Sequence, residues 1–424
     1  MSTARIEPGP LYGTVRAPPS KSYTHRALVV GHLSGRRFSV RVPLDSDDTR
    51  ATARAISRLG SRIRRTRTLW EVRPAEAGDR REPVRIDCGE SGTTLRFAVS
   101  LAARLERAVT FTGSRRLSER PLAGLLRTLR DFGAGFRRTG AAGLPIEIHG
   151  PIHGARASLD ASKSSQFASS LLLVLPTLAD GSRLELTGEI VSQPYLDATL
   201  AIVRHHGVRV TRRGRLFSVP GSQRYEGEGF RVPGDASSAA YFWAAAAISG
   251  GRVRVEGIPG DWPQADVAIL PILRRNGSVV DQDSQGATVT AGPRRPFRVD
   301  LTDAPDLYPL AGVLAATTEG VSRLEGAGHV VLKESDRKQA TATLARRLGA
   351  KVAVSRTGLR IEGTPRPRPL RLPGISDHRL LMSAAVGALA AISPSELGER
   401  DAVRKSFPEF WSMLASLGAG TSRT

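Results

Sequence analysis

Apolar positions along the chain recur in one repeated order. A stretch apolar on nearly every side comes first, then a stretch apolar on one face that ends on glycine, then an alternating segment. The one-faced stretches end AISRLGSRI, TLRDFGAGF, IVRHHGVRV, ILRRNGSVV, LARRLGAKV and MLASLGAGT. Their glycines, Gly60, Gly133, Gly207, Gly277, Gly349 and Gly418, are separated by 73, 74, 70, 72 and 69 residues. Glycine behind a basic amphipathic segment marks a helix C-terminus, because it accepts the left-handed conformation the chain takes there. In five of the six an apolar β-former follows three residues on. The pattern predicts six amphipathic helices, each followed by a hairpin.

A second set of helices starts about 40 residues before each glycine. The starts read PSKSYTHRALVV, GESGTTLRFAVS, ASKSSQFASSLL, GDASSAAYFWAA, DAPDLYPLAGVL and SDHRLLMSAAVG. Each opens near Ser, Thr or Asp, which cap helix N-termini, and then turns apolar all round, which predicts burial. A unit therefore reads strand, buried helix, strand, amphipathic helix, hairpin, and six such units fill 424 residues. The sixth reaches Thr424 with no room for its hairpin, so residues 1–19 are expected to complete it. The expected layout is two three-unit domains, 20–233 and 1–19 with 234–424. Two crossings, near Pro18-Pro19 and Val232-Pro233, would permit hinge closure around a cleft. An open six-unit solenoid is the competing topology.

Composition narrows the chemistry. Apolar residues are 40% and charged residues 24%, as in ordinary globular proteins. The single cysteine, Cys88, excludes an intrachain disulfide and a zinc site with several cysteine ligands. Apolar runs such as 171–174 and 244–248 are far below the ~18 residues of a membrane span. The N-terminus lacks the apolar core of a signal peptide, so a soluble, cytoplasmic protein is expected. The net charge of +22 attracts polyanions, nucleic acid or phosphorylated and carboxylated metabolites alike. Aromatics at 5% and no stacking motif argue against nucleic acid.

Polar chemistry concentrates at helix starts, where unpaired N–H groups and the helix dipole favour anions. Only six of the 62 basic residues are lysines, and four of those six fall in these windows, Lys21, Lys333 and Lys405 among them. Where arginine serves almost everywhere else, retained lysine indicates a need for a compact ammonium. Arg26 and Arg96 lie inside buried helices and need an anion partner, internal or bound. Asp47 and Asp48 read as helix caps.

The motifs PSKSxTHRAL, SGTTLRF, ERPL, SSQF, VSQPY, GDASSA, DAPD, LKESDR, DHR and KSFPEF together resemble the enolpyruvyl transferase family along the whole chain. The resemblance implies a two-domain inside-out α/β barrel of six βαβαββ repeats, three per domain. It implies transfer of the carboxyvinyl group of phosphoenolpyruvate to the 5-hydroxyl of shikimate 3-phosphate, through a tetrahedral adduct, with phosphate released. Lys21, Asp306 and Glu334 would be catalytic, Asp306 as base and Glu334 as proton donor. Lys21, Ser22, Arg26, Ser164, Ser165, Gln166, Ser192, Tyr195, Asp306 and Lys333 would hold shikimate 3-phosphate. Lys21, Gly92, Arg120, Gln166, Arg337, Arg379 and Lys405 would hold phosphoenolpyruvate. No metal or organic cofactor, no nucleic-acid or membrane partner, and a monomer are implied. At Glu90 and His329 the chain carries residues other than the family's usual Asn. A sister activity on UDP-N-acetylglucosamine and an RNA-binding role are the alternatives.

Overall fold

The computed structural model describes residues 2–75 and 84–423. All six helix-ending glycines have positive φ: Gly60 114°, Gly133 104°, Gly207 76°, Gly277 106°, Gly349 103° and Gly418 100°. An L side chain is strained there, so the repeat signal is a backbone requirement. In chain order the helices are α1 (Lys21–Leu33), α2 (Asp47–Arg58), α3 (Gly92–Ala102), α4 (Arg115–Glu119), α5 (Ala123–Asp131), α6 (Ser165–Val174), α7 (Gln193–His205), α8 (Ala236–Ser249), α9 (Ile269–Asn276), α10 (Tyr308–Ala316), α11 (Arg337–Arg347), α12 (His378–Ala388) and α13 (Phe410–Ser416). Helices α1, α3, α6, α8, α10 and α12 are the buried set: α10, for example, is buried from Tyr308 to Ala316.

Among the described residues, six four-stranded sheets accompany the helices. Each holds one parallel pair with a hairpin antiparallel beside it, and in four of them the parallel pair is the two strands that flank a buried helix. Arg156–Asp160 runs parallel to Ser182–Thr187, which pairs with Leu216–Val219, which pairs with Thr211–Arg213. A parallel pair needs a crossover, and the buried helix supplies it.

Two strands serve a different repeat from the one their chain position suggests. Tyr12–Arg16 leads into α1, yet it pairs with Arg252–Glu256, with Val15 opposite Val255. Gly229–Arg231 leads into α8, yet it pairs with Phe38–Arg41, with Phe230 opposite Val40. Residues 1–19 therefore do not all complete the sixth unit. Only Ala4–Ile6 does so, between Ser395–Leu397 and Thr421–Arg423. The returning strands close each set of three repeats, which an open solenoid would not do. The chain divides into two compact units, Met1–Pro18 with Pro233–Thr424, and Pro19–Val232.

Each unit has its own core. In Pro19–Val232, α3 and α6 pack together, burying Phe97, Phe167 and Leu171. In the other unit the alanine-rich α8 packs against α12 and α10. There α13 docks through rings: Phe410 lies 6.3 Å from Phe242, and Phe407 lies 5.7 Å from Phe242. Such pairs add about 0.5–1.5 kcal/mol each beyond their burial. The polar helix starts are thereby fixed to rigid elements.

Candidate active site

In the unit Pro19–Val232, side chains tie the helix starts together. Arg26 of α1 is 3% exposed. Its Nε donates to Thr199 Oγ1 at 2.9 Å, its Nη2 to the Tyr195 carbonyl at 2.8 Å and to Ser169 Oγ at 3.3 Å. Nη1 donates to the Ser22 carbonyl at 3.0 Å, and the guanidinium lies over the Phe97 ring. Four of its five N–H groups are thus occupied, all by neutral acceptors. Burial pulls its pKa down to about 10, the mark of a desolvated charge without a carboxylate to answer it.

Lys21, the first residue of α1, donates Nζ to Asp48 Oδ2 at 3.1 Å. Asp48 does not cap α2 as its place suggests. Ser46 does so, in a capping box with Thr49, which leaves Asp48, 5% exposed, to the ammonium. Behind this pair runs a buried polar chain: His25 Nδ1 to Thr52 Oγ1 (2.7 Å), Thr52 to Thr94 Oγ1 (2.7 Å), Thr94 Oγ1 to Ser91 Oγ (2.8 Å). Burial pushes His25 down to about 3, so a neutral imidazole links α1 through α2 to the cap of α3. His25, Thr52 and Thr94 set where Lys21 stands relative to Gly92.

Gly92 opens α3. Arg96 clamps the adjoining backbone, donating Nη1 to the Gly92 carbonyl and Nη2 to the Pro121 carbonyl, both at 2.9 Å. A Cβ on Gly92 would stand 2.6 Å from Arg120 Nη1 and closer still to Arg96 Nη1. Gly92→Ala is therefore expected to displace the Arg120 guanidinium.

Ser164 caps α6, accepting from the Gln166 N–H at 3.2 Å. Ser165 is 7% exposed. Gln166 Nε2 donates to Thr93 Oγ1 at 3.0 Å, while its Oε1 is buried with no donor in the protein. Ser192, directly before α7, is 4% exposed and sits at φ 57°, ψ 43°. For a non-glycine residue that conformation costs about 1–3 kcal/mol and is typical of functional loops. Ser22, Arg26, Ser164, Gln166 and Tyr195 are thus brought to one connected set of helix starts.

The unit Met1–Pro18 with Pro233–Thr424 gathers acids and cations. Asp306 is approached by Arg379 Nη2 at 2.7 Å, Arg337 Nη1 at 2.8 Å and Lys333 Nζ at 3.4 Å. Burial alone would raise its pKa, but the charges of Arg379, Lys333 and Arg337 outweigh burial and hold it well below the usual carboxylate range. Arg337 is 1% exposed and also donates to Glu334 Oε2 at 2.8 Å and Asp377 Oδ2 at 2.9 Å. Burial would lower its pKa, yet Asp377, Glu334 and Asp306 together raise it. Arg337 is thus engaged by three carboxylates, through four of its five N–H groups. Asp377 caps α12, accepting from the Arg379 N–H at 3.0 Å and from Ser335 Oγ at 2.8 Å. Lys405 is 8% exposed, at the end of the turn Arg400–Lys405 that packs on α12.

Asp48, Thr93 and Asp377 were not singled out from sequence as site residues. Asp377 stands in the DHR motif at a helix start, which could have marked it. Nothing local marks the 27-residue separation that joins Asp48 to Lys21. Of the two departures from the family's Asn, Glu90 is exposed. His329 is 6% exposed and pushed down to about 3, by burial and then by the charge of Lys333. Cys88 is buried and its thiol is pushed up to about 12 by desolvation, which leaves no thiolate at neutral pH.

The family model for EPSP synthase (3-phosphoshikimate 1-carboxyvinyltransferase) matches residues 6–414. The chain is 39% identical over 422 residues to the 3-phosphoshikimate 1-carboxyvinyltransferase of Methanocella arvoryzae, covering 98% of this chain and 99% of that one. It is 40% identical over 420 residues to the enzyme of the same name from Aeropyrum pernix, covering 98% and 95%. Among solved structures, EPSP synthase from Acinetobacter baumannii superposes with TM-score 0.83 at 24% identity, covering 100% of both chains. The enolpyruvyl transferase NikO from Streptomyces tendae gives TM-score 0.80 at 18% identity, covering 100% and 99%. At those identities the two structures speak for the fold, the two-domain enolpyruvyl transferase architecture.

Proposed function

Because the chain belongs to the EPSP synthase (3-phosphoshikimate 1-carboxyvinyltransferase) family, we propose that its helix-start residues divide the work of that reaction between them. The protein is a transferase of the shikimate pathway: it moves the carboxyvinyl group of phosphoenolpyruvate to shikimate 3-phosphate and releases phosphate. Ser22, Arg26, Ser164, Ser165, Gln166, Ser192 and Tyr195 hold shikimate 3-phosphate, with Lys333 and Asp306 on its hydroxyls. Gly92, Arg120, Gln166, Arg337, Arg379 and Lys405 hold phosphoenolpyruvate, and Lys21 bridges both. The observation that carries the assignment is Arg26, a buried cation whose protein partners are all neutral. An anionic ligand supplies the missing charge.

The 5-hydroxyl oxygen attacks C2 of phosphoenolpyruvate as its proton passes to Asp306 and Glu334 protonates C3. The tetrahedral adduct then collapses: the C2–O bond to phosphate breaks, Glu334 takes a proton back from C3, and phosphate leaves with the proton held by Asp306. A strongly stabilised Asp306 is a weak base. Transfer of Arg379 and Arg337 from Asp306 to phosphoenolpyruvate raises its basicity at the moment the acceptor needs it. We propose further that the protein acts as a cytoplasmic monomer without a cofactor. Among the described residues no helix is long and apolar enough to cross a membrane.

The activity is tested by phosphate release from phosphoenolpyruvate with shikimate 3-phosphate or with UDP-N-acetylglucosamine as acceptor. Release with the first alone is expected, and release only with the UDP-sugar overturns the reading. Lys21→Arg is expected to lower kcat/KM about tenfold or more, because a planar fork cannot occupy the place of a compact bridging ammonium. Near-normal turnover of that variant would remove Lys21 from the bridging role.

A further inference from the structure

Asp266 is a buried carboxyl that the reaction above does not use. It lies in the turn Ala265–Ala268 that leads into α9, and is 1% exposed. Gln264 fixes that turn against the start of α8, accepting from the Ala236 N–H at 2.9 Å and donating to the Gly234 carbonyl at 2.8 Å. Ser237 of α8 donates its hydroxyl to Asp266 Oδ2, while Oδ1 is buried and receives no hydrogen bond. The cation that acts on Asp266 is Arg379, but Arg379 is committed to Asp306 at 2.7 Å. Helix α8 packs against both the Asp266 turn and the Asp306 turn, and its Tyr241 hydrogen-bonds Arg379. Two carboxyls thus face one guanidinium, and the one without a salt bridge has an empty oxygen.

We propose that Asp266 is a positioning residue that couples phosphoenolpyruvate binding to uptake of one proton: ionised, it competes with the ligand for the charge of Arg379, and protonated, it leaves that charge to the ligand. The inference rests on the assignment of Arg379 to phosphoenolpyruvate. The proton comes from solvent and resides on the carboxyl, Oδ1 being the oxygen with no other partner, and no other bond changes. The groups that face Asp266 are Asp306 before α10, Asp235 and Ser237 at the start of α8, and Arg379 on α12. Burial, then the charge of Asp306, raises its pKa to about 6 against the lowering effect of Arg379. A polyanionic ligand that draws on Arg379 raises it further. The complex then holds more protons than the free protein. Affinity for phosphoenolpyruvate therefore strengthens as pH falls from the bound value towards about 6, and levels off outside that window. Each unit by which the ligand raises Asp266 is worth about tenfold in affinity.

The test is the KM for phosphoenolpyruvate at saturating shikimate 3-phosphate from about pH 5.5 to about pH 8.5, in the wild type and in Asp266→Asn. The ligand's own phosphate titrates identically in both, so their KM ratio isolates Asp266. The ratio is expected near one at the acid end. It should favour the variant several-fold at the alkaline end, a tightening that a damaged fold does not produce. A ratio constant with pH, or a variant weaker at high pH, overturns the proposal. Ser237→Ala removes a hydroxyl that favours the ionised form, so it should shift the window to higher pH. If Asp266→Asn does not fold, an unmoved profile in Ser237→Ala overturns the proposal alone. Arg379→Lys tests the underlying assignment separately: an unchanged KM for phosphoenolpyruvate removes Arg379 from the ligand, however Asp266 behaves.

Discussion

Glu334→Gln is expected to lower kcat about a thousandfold, within the 10²–10⁴ range of general acid–base catalysis, while both KM values change little. The amide is isosteric, and its oxygen can still accept from Arg337 Nη2, which now holds Glu334 Oε2 at 2.8 Å. Geometry is kept and the transferable proton is lost. Glu334 is anchored by a residue 1% exposed that also grips Asp306 and Asp377, so the carboxyl has little freedom to let a water molecule replace it. Two measurements check this. Phosphate release gives kcat, and deuterium incorporation at C3 of phosphoenolpyruvate in heavy water reports the proton transfer itself. A variant within tenfold of wild type, or one that still exchanges C3 hydrogen at the normal rate, would sink the role given to Glu334.

What the sequence disclosed follows from where its signals are local. Six helix ends were legible because a positive φ at Gly60, Gly133, Gly207, Gly277, Gly349 and Gly418 admits glycine over other residues. The buried helices were legible because a segment such as 236–249, apolar all round with Asp235 as its cap, has one comfortable place in a globular protein. The exchange of Tyr12–Arg16 and Gly229–Arg231 between repeats was not legible. Strand pairing is decided by partners hundreds of residues away, and both segments carry the same short alternating pattern. The site divides in the same way. Lys21 and Arg337 stand out by residue type at a helix start, and Arg26 as a charge inside a buried helix. Asp48 and Asp266 are carboxylates in ordinary first turns, and their meaning comes from what the fold brings opposite them: an ammonium in one case, a shared guanidinium in the other. The three carboxylates that now engage Arg337 could not be foreseen from a KESDR string that supplies only one of them in contact, Glu334.

Arg26→Met separates the energetics of folding from those of binding. Removal of one member of a buried ion pair normally destabilises, because it strands the other charge. Arg26 strands nothing: its protein partners are neutral, and Thr199 Oγ1 keeps its own bonds to Ser169 Oγ at 2.9 Å and to the Tyr195 carbonyl at 3.1 Å. A flexible apolar side chain beside Phe97 should therefore leave the Tm of the ligand-free protein nearly unchanged or slightly raised. Binding should suffer instead. Loss of a desolvated cation facing an anion costs on the order of 2–5 kcal/mol, roughly 30-fold to several-thousand-fold in Kd for shikimate 3-phosphate. In the wild type, ligand at about a hundred times Kd adds about 2.7 kcal/mol, or roughly 5–10 °C for a unit of about 200 residues. In Arg26→Met at the same ligand concentration that rise should fall to about 0.9 kcal/mol or less, roughly 3 °C at most. A variant that melts much earlier without ligand shows that Arg26 works for the fold. One that keeps the ligand-induced rise shows that the anion lies elsewhere. The combination of an undisturbed fold and a largely lost thermal shift is what a cation held in reserve for substrate predicts, and it follows from the neutral partners of a single side chain.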